Sequence, residues 1–240
     1  MRKLLFLLFS VFTALSVLSC SGDSDMPCVT CGDDVVHGDP VIYGNESYET
    51  VVIGTQTWMA RNLNYEPSGT NVAQNSKCYD REPVNCAIYG RLYDWATAMA
   101  LPSDCNPTSC TQRIKTEHQG ICPKDWHIPS DADWSELLRY VDGTPNPYYS
   151  STAGKYLKAM SGWNNSDSKG IDSFGFAALS GGYSNSNGSF SSAGDNGRWW
   201  SSTEYNATDA FGLHMSFSYN YVFQNLYGKG NFHSIRCLKN

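Results

Sequence analysis

The sequence predicts an α+β domain of short antiparallel strands, two or three short helices and long loops. Three observations carry that expectation: a strand-turn-strand pattern around Val51, two stretches with helical apolar spacing between Arg91 and Val141, and a second half rich in Gly, Ser and Asn with only short apolar islands. The composition supplies a core: 41% hydrophobic, 13% aromatic and 17% charged positions over 240 residues exclude long disorder, collagen and a polytopic membrane protein. The formal charge of −6, with no basic cluster, argues against nucleic acid as a partner.

In chain order, Arg2 and Lys3 precede an apolar or small run from Leu4 to Leu18, the n-region and h-region of a secretory signal. The run is too short for a spanning helix. It ends in Val17-Leu18-Ser19-Cys20, which resembles the bacterial lipobox, so 1–19 is expected to be cleaved and Cys20 to carry acyl chains. That anchor would place the protein in the cell envelope, as an outer-membrane lipoprotein exposed at the surface. Residues 20–40, with Ser, Gly, Asp, Pro27 and Pro40, read as a flexible tether, and the folded domain is expected over 41–240. Tyr48 to Ile53 offers a strand, Gly54-Thr55 a turn and Gln56 to Met59 the returning strand. Leu92, Trp95, Ala96 and Met99 recur at helical spacing and predict a helix from Arg91 to Ala100. Ser130, with Asp133 three residues later, predicts an N-cap and a variant capping box before the apolar stripe Trp134, Leu137, Leu138 and Val141. Asp131, Asp133 and Glu136 are then read as first-turn acids complementing the helix dipole, not as catalytic carboxylates. Tyr156 and Leu157 mark a third short helix.

Nine cysteines are an odd set, and assigning Cys20 to lipid leaves an even one. Outside the inner membrane these read first as disulfides. Eight cysteines allow 105 pairings and spacing chooses only weakly among them. The preferred set is Cys78 with Cys86, Cys105 with Cys110, Cys122 with Cys237 and, least firmly grounded, Cys28 with Cys31. The single C-x-x-C at Cys28 and Cys31 has neither a second such pair nor a βαβ context, so no metal or redox role is expected.

Val52 to Tyr65, Tyr89 to Trp95, Cys122 to Ser130, Phe174-Gly175-Phe176, Trp199 to Glu204 and Ile235-Arg236-Cys237 resemble, in order, the motifs of the Fibrobacter succinogenes major paralogous domain, found in secreted proteins and lipoproteins. These motifs are also distantly similar to the C-type-lectin fold of formylglycine-generating and sulfatase-modifying proteins. The resemblance implies a C-type-lectin-like domain, a core place for Trp199 and Trp200, a packed and hydrogen-bonded His127, and a bridge from the helical region to the last strand that supports Cys122 with Cys237. The formylglycine-generating enzymes use a C-terminal cysteine pair to hold copper. Beyond Cys122 this chain has only Cys237, so no enzyme activity, cofactor or metal is expected. The lectin calcium loop is also missing, since Trp163-Asn164-Asn165 lacks the carboxylates such a cage needs.

The stretch from Tyr205 to Ser234 has the Tyr, Asn and Ser palette of an adaptable binding surface. Tyr205, Asn206, Phe211, His214, Ser216, Ser218, Tyr219, Asn220, Tyr221, Asn225, Tyr227, Asn231 and His233 are the expected contacts for a glycan or a surface protein. It also resembles the variable regions of retroelement-diversified proteins. Alternation of Leu213, Met215, Phe217, Tyr219, Tyr221 and Phe223 with His214, Ser216, Ser218 and Asn220 equally describes a half-buried strand or hairpin, and both readings stand at this point. The expectation is a monomeric, lipid-anchored recognition domain; the alternatives are a structural or adhesion lipoprotein without a discrete ligand and, behind it, a formylglycine-generating-like enzyme.

Overall fold

A computed structural model describes residues 35–68, 73, 75–143, 146, 148–164 and 169–240. Cys20, Cys28 and Cys31, with the expected signal segment, lie outside the described residues. The elements run β1 (His37–Tyr43), β2 (Glu46–Ile53), β3 (Gln56–Met59), β4 (Ser76–Lys77), α1 (Pro83–Tyr89), β5 (Leu92–Tyr93), α2 (Trp95–Ala98), β6 (Trp126–His127), α3 (Asp131–Asp142), β7 (Tyr149–Ser150), α4 (Ala153–Leu157), β8 (Gly181–Ser184), β9 (Phe190–Ala193), β10 (Asn196–Glu204), β11 (Asp209–Ser216), β12 (Val222–Gly228) and β13 (Leu238–Lys239). The architecture is mixed and mostly strand. No helix among the described residues is long and apolar enough to cross a membrane.

One sheet has the order β1-β2-β3-β13-β6, so the C-terminal strand inserts between the first hairpin and the middle of the chain. The second has the order β7-β12-β11-β10-β8-β9, antiparallel except where β10 runs parallel to β8, and β4 and β5 form a third pair. The expected hairpin is present, with Gly54 in the left-handed region at φ 63° between β2 and β3. Order begins before the expected domain start at Val41. β1 opens at His37 and Val52 N donates to Val36 O at 2.8 Å, because pairing with β2 satisfies backbone groups that a tether would leave to water.

The helix expected from Arg91 to Ala100 is shorter. Leu92 and Tyr93 are extended, because Tyr93 exchanges backbone hydrogen bonds with His233 at 2.8 and 3.0 Å, and Asp94 then caps α2 by accepting from Thr97 N at 2.8 Å. Leu92, Trp95, Ala96 and Met99 are nevertheless all buried. The spacing found the buried face but not the backbone form. α3 starts as expected: Ser130 and Asp133 form the reciprocal capping box, and Trp134, Leu137, Leu138 and Val141 are buried. α4 contains Tyr156 and Leu157; α1 carried no periodic signal and is opened by Pro83.

Two apolar clusters flank the second sheet. On one side Trp199, Leu213, Met215 and Val222 pack with the α3 stripe, Trp58 and Phe176, with the Trp58 and Trp134 rings stacked at 4.8 Å. On the other, Trp200, Ala210 and Tyr227 join Tyr93, Trp95 and the cysteines at 105, 110, 122 and 237. Three of the buried indoles find acceptors: Trp199 Nε1 donates to Asn62 Oδ1, Trp200 Nε1 to Tyr93 O and Trp95 Nε1 to Ser201 O, at 2.8 to 2.9 Å. Among the described residues three bridges are formed, Cys78–Cys86, Cys105–Cys110 and Cys122–Cys237.

Candidate functional site

β10, β11, β12 and β7 bring four side chains into one row. Arg198 lies opposite His214, His214 opposite Phe223, and Phe223 opposite Tyr149. Residues two apart share a face, so Asn196 flanks the row on β10, Asn225 flanks it on β12, and Tyr221 flanks it just before β12 begins. Rings tile this surface: Tyr149 lies 5.4 Å from Tyr221 and 5.3 Å from Phe223, and Tyr219 lies 5.3 Å from Tyr221 and 5.9 Å from Phe223. Tyr221 is 41% exposed. Such cross-strand aromatic pairs stabilise a ladder, and here the rings meet at interplanar angles from 31° between Tyr219 and Tyr221 to 83° between Tyr219 and Phe223, which makes a contiguous but tilted ring cluster.

Further along the same face the rings pass into the interior. Tyr227 and His233 pack on Trp200, His233 stacking on it at 4.2 Å. Arg198 marks the boundary, its guanidinium 3.5 Å from the Tyr183 ring centre and 4.8 Å from that of Tyr227. His214 Nε2 pairs with Asn196 Oδ1 at 3.0 Å, and burial first, then the nearby Arg198 charge, lowers its pKa to about 4. His233 is held neutral by its full burial and by the same charge, while burial pushes the Tyr227 phenol up to about 12. Hydrogen bonding with Ser191, and then the Arg198 charge, hold the Tyr183 phenol below its usual range.

The turn from β11 to β12 is fastened from beneath. Lys158 Nζ donates to Ser216 O at 3.1 Å and Tyr219 O at 3.0 Å, and burial lowers its pKa to about 8. Gly154 N donates to Asn220 O at 2.9 Å, tying the turn to α4. Tyr219 and Tyr221 are thus presented by a held turn.

The expected contact residues do not form one surface. His214, Tyr219, Tyr221 and Asn225 share the open face. Phe211 points to the opposite face, where it packs with Tyr148 at 6.2 Å and Tyr205 at 5.7 Å. Asn206 caps a turn, accepting from Thr208 N and Asp209 N at 2.8 Å; Ser218 is exposed and Asn220 half-buried in the β11 to β12 turn. Asn231 accepts from Ser186 N at 3.1 Å and lines an open cleft of about 260 Å³ with Thr208 and Lys229. Ser216, Tyr227 and His233 are interior, a correction to their expected role, since they are walled in by the turn and by the Trp200 cluster.

The half-buried-strand reading therefore holds in part. Each β11–β12 pair joins an odd to an even position, as Leu213 with Gln224 and Met215 with Val222, so the inward set changes parity across the turn. Continuing one alternation through Phe223 would have buried Tyr221 and Phe223; they face outward. Composition of the final stretch did not point to Arg198, Tyr149 and Tyr183, which lie outside it; in-register pairing is what joins Arg198 and Tyr149 to the row. A wider cleft of about 530 Å³ sits apart, between the β2–β3 turn and α3, lined by Gly54, Thr55, Glu136, Arg139 and Tyr140.

His127 is buried, with Nδ1 at 2.8 Å from Asn240 Oδ1 and Nε2 at 3.5 Å from Asp133 Oδ2. Trp199 and Trp200 are fully buried. Among the described residues no three His, Cys, Asp or Glu side chains converge on a metal-sized site.

The sequence pattern of the Fibrobacter succinogenes major domain matches residues 51–239. The chain belongs to this family. The match begins within β2 and runs into β13, and β1, which lies before it, pairs with β2. No curated protein and no solved structure matches the chain.

Proposed function

We propose that this family member is a non-catalytic recognition domain, C-type-lectin-like in fold and lipid-anchored through Cys20 at the cell envelope, that binds a glycan on the open face of β11 and β12. The observation that carries the reading is the contiguous ring surface of Tyr149, Tyr219, Tyr221 and Phe223, bordered by His214, Asn196 and Asn225. Flat rings take the apolar faces of pyranoses, and the bordering amides and imidazole supply directional hydrogen bonds to hydroxyls. A register-locked sheet and the Lys158-held turn keep these groups pre-organised, which limits the ordering cost of binding. The lectin-like assignment is supported by the pairing of the last strand with the first hairpin and by the long-range Cys122–Cys237 bridge.

The test is a glycan array with the mature domain, followed by titration of each positive. Tyr221→Ala with Phe223→Ala is expected to weaken binding at least about tenfold, given that aromatic anchors often carry 2 kcal/mol or more. Tyr205→Ala with Phe211→Ala, on the opposite face, is expected to leave it within about twofold. A silent array, with a surface-protein pull-down that depends on Tyr221 and Phe223, would favour a protein ligand on the same face. Silence in both would overturn the reading. For the anchor, Cys20→Ala should move the protein from the membrane to the soluble fraction and abolish labelling by a fatty-acid probe.

A further inference from the structure

We propose that the open face takes an acidic glycan, with Arg198 anchoring the anionic group of one sugar while the rings beyond it stack on the sugars that follow. The proposal rests on the recognition reading above and specifies its ligand. Among the described residues Arg198 has no carboxylate within 4.0 Å, whereas Arg61 pairs with Glu46 at 2.6 Å and Arg91 with Glu66 at 2.7 Å. Its Nε is buried and has no hydrogen-bond partner among the described residues, and both ring nitrogens of the fully buried His233 behind it are likewise unpartnered. The Tyr183 and Tyr227 rings hold the guanidinium, and the Tyr183 phenol takes one of its hydrogen bonds, but no carboxylate neutralises it, so the rest of its donor fork suits a two-oxygen anion.

The surroundings fit the same ligand. The chain is acidic overall, yet the outward positions around the row, from Asn196 and Arg198 through His214 to Tyr221, Phe223 and Tyr149, include no Asp or Glu. Four in-register strands set Arg198 and Tyr149 three inter-strand steps apart, about 14 Å at roughly 4.8 Å per step, which suits a short oligosaccharide better than a free anion. One guanidinium on a molecule of charge −6 favours a sparsely charged glycan over a dense polyanion.

The anionic group can be a carboxylate or a sulfate, and two arms separate these sources. The full mature protein is titrated with oligogalacturonate against its carboxyl-reduced form, and with a sulfated galactan oligosaccharide against its desulfated form. In one arm the acidic member should bind at least about tenfold tighter, the scale of a charge-assisted pair. Arg198→Gln should collapse that ratio toward one, Arg198→Lys should restore part of it, and Tyr205→Ala with Phe211→Ala should preserve it. Thermal melts check that each variant is folded, and the wild-type ratio stands independently of any variant. Equal affinity for acidic and neutral members in both arms, or an undiminished preference in folded Arg198→Gln, would overturn the proposal while leaving glycan recognition intact. No binding of any member would overturn this proposal, and silence in both the wider array and the surface-protein pull-down would overturn the recognition reading as well.

Discussion

The Cys122–Cys237 bridge offers the most quantitative test of how this fold is held. It joins positions 115 apart and ties the segment before β6 to the strand that β6 pairs with. In the loop-entropy account, closing a loop of that length removes about 4.8 kcal/mol of unfolded-state freedom, against about 2.5 for the eight-residue separation of Cys78–Cys86 and about 2 for the five of Cys105–Cys110. Cys122 and Cys237 are also both buried, so replacing them by alanine adds a small packing loss. The double substitution Cys122→Ala with Cys237→Ala is therefore expected to cost about 5 kcal/mol, a fall in melting temperature of roughly 10–20 °C for a domain of this size. Urea unfolding, read by tryptophan fluorescence and far-UV circular dichroism, measures the loss. The denaturant slope should rise, because the unfolded chain loses its largest covalent loop and exposes more surface. A loss below about 2 kcal/mol, or one smaller than that from removing Cys78–Cys86, would refute the argument that chain closure is what this bridge contributes.

Three further outcomes are expected. Asn62 Oδ1 accepts from Trp199 Nε1 and from Arg236 Nε and Nη2 at 2.8 to 3.1 Å, and Arg236 is fully buried, so Asn62→Leu should cost about 3–5 kcal/mol; a urea midpoint showing less than 1 would contradict that role. Burial alone would lower the His127 pKa and raise that of Asp133, but their mutual pairing, with Asn240 Oδ1 accepting from His127 and Ser130 donating to Asp133, leaves His127 above 6.5 and Asp133 below 3.8. The pair's contribution should thus be complete between about pH 4 and 6.5, decline as pH rises through the folded value of His127 and decline as pH falls through that of Asp133; a His127→Gln variant with the same alkaline slope as wild type would count against it. Lys229 is buried and donates to Glu204 and to the carbonyls of Cys105, Thr108 and Ala207, so Lys229→Met should cost about 3–5 kcal/mol, with part recovered by adding Glu204→Gln; equal stabilities across that cycle would show the pair to be uncoupled.

What the sequence determined by itself is local. Ser130 and Asp133 specify the start of α3 because both halves of a capping box lie within one turn, and Gly54 specifies the first hairpin because the turn needs a left-handed residue. Periodicity identified Leu92, Trp95 and Met99 as buried, and motif order identified the family across residues 51–239. Two things only the tertiary structure decided. The extended form at Tyr93 comes from its backbone exchange with His233, a partner 140 residues away that no local window contains. The candidate site depends on hairpin parity and on what covers the face: the β11–β12 ladder pairs odd with even positions, which puts Phe223 and Tyr227 on one face with Tyr221, and Tyr227 is interior only where it packs with His233 and Trp200. Composition marked that stretch as aromatic and polar. That the exposed rings lie beside a guanidinium from another strand, one with no carboxylate partner among the described residues, follows from register, because a shift of one residue exchanges the two faces of a strand.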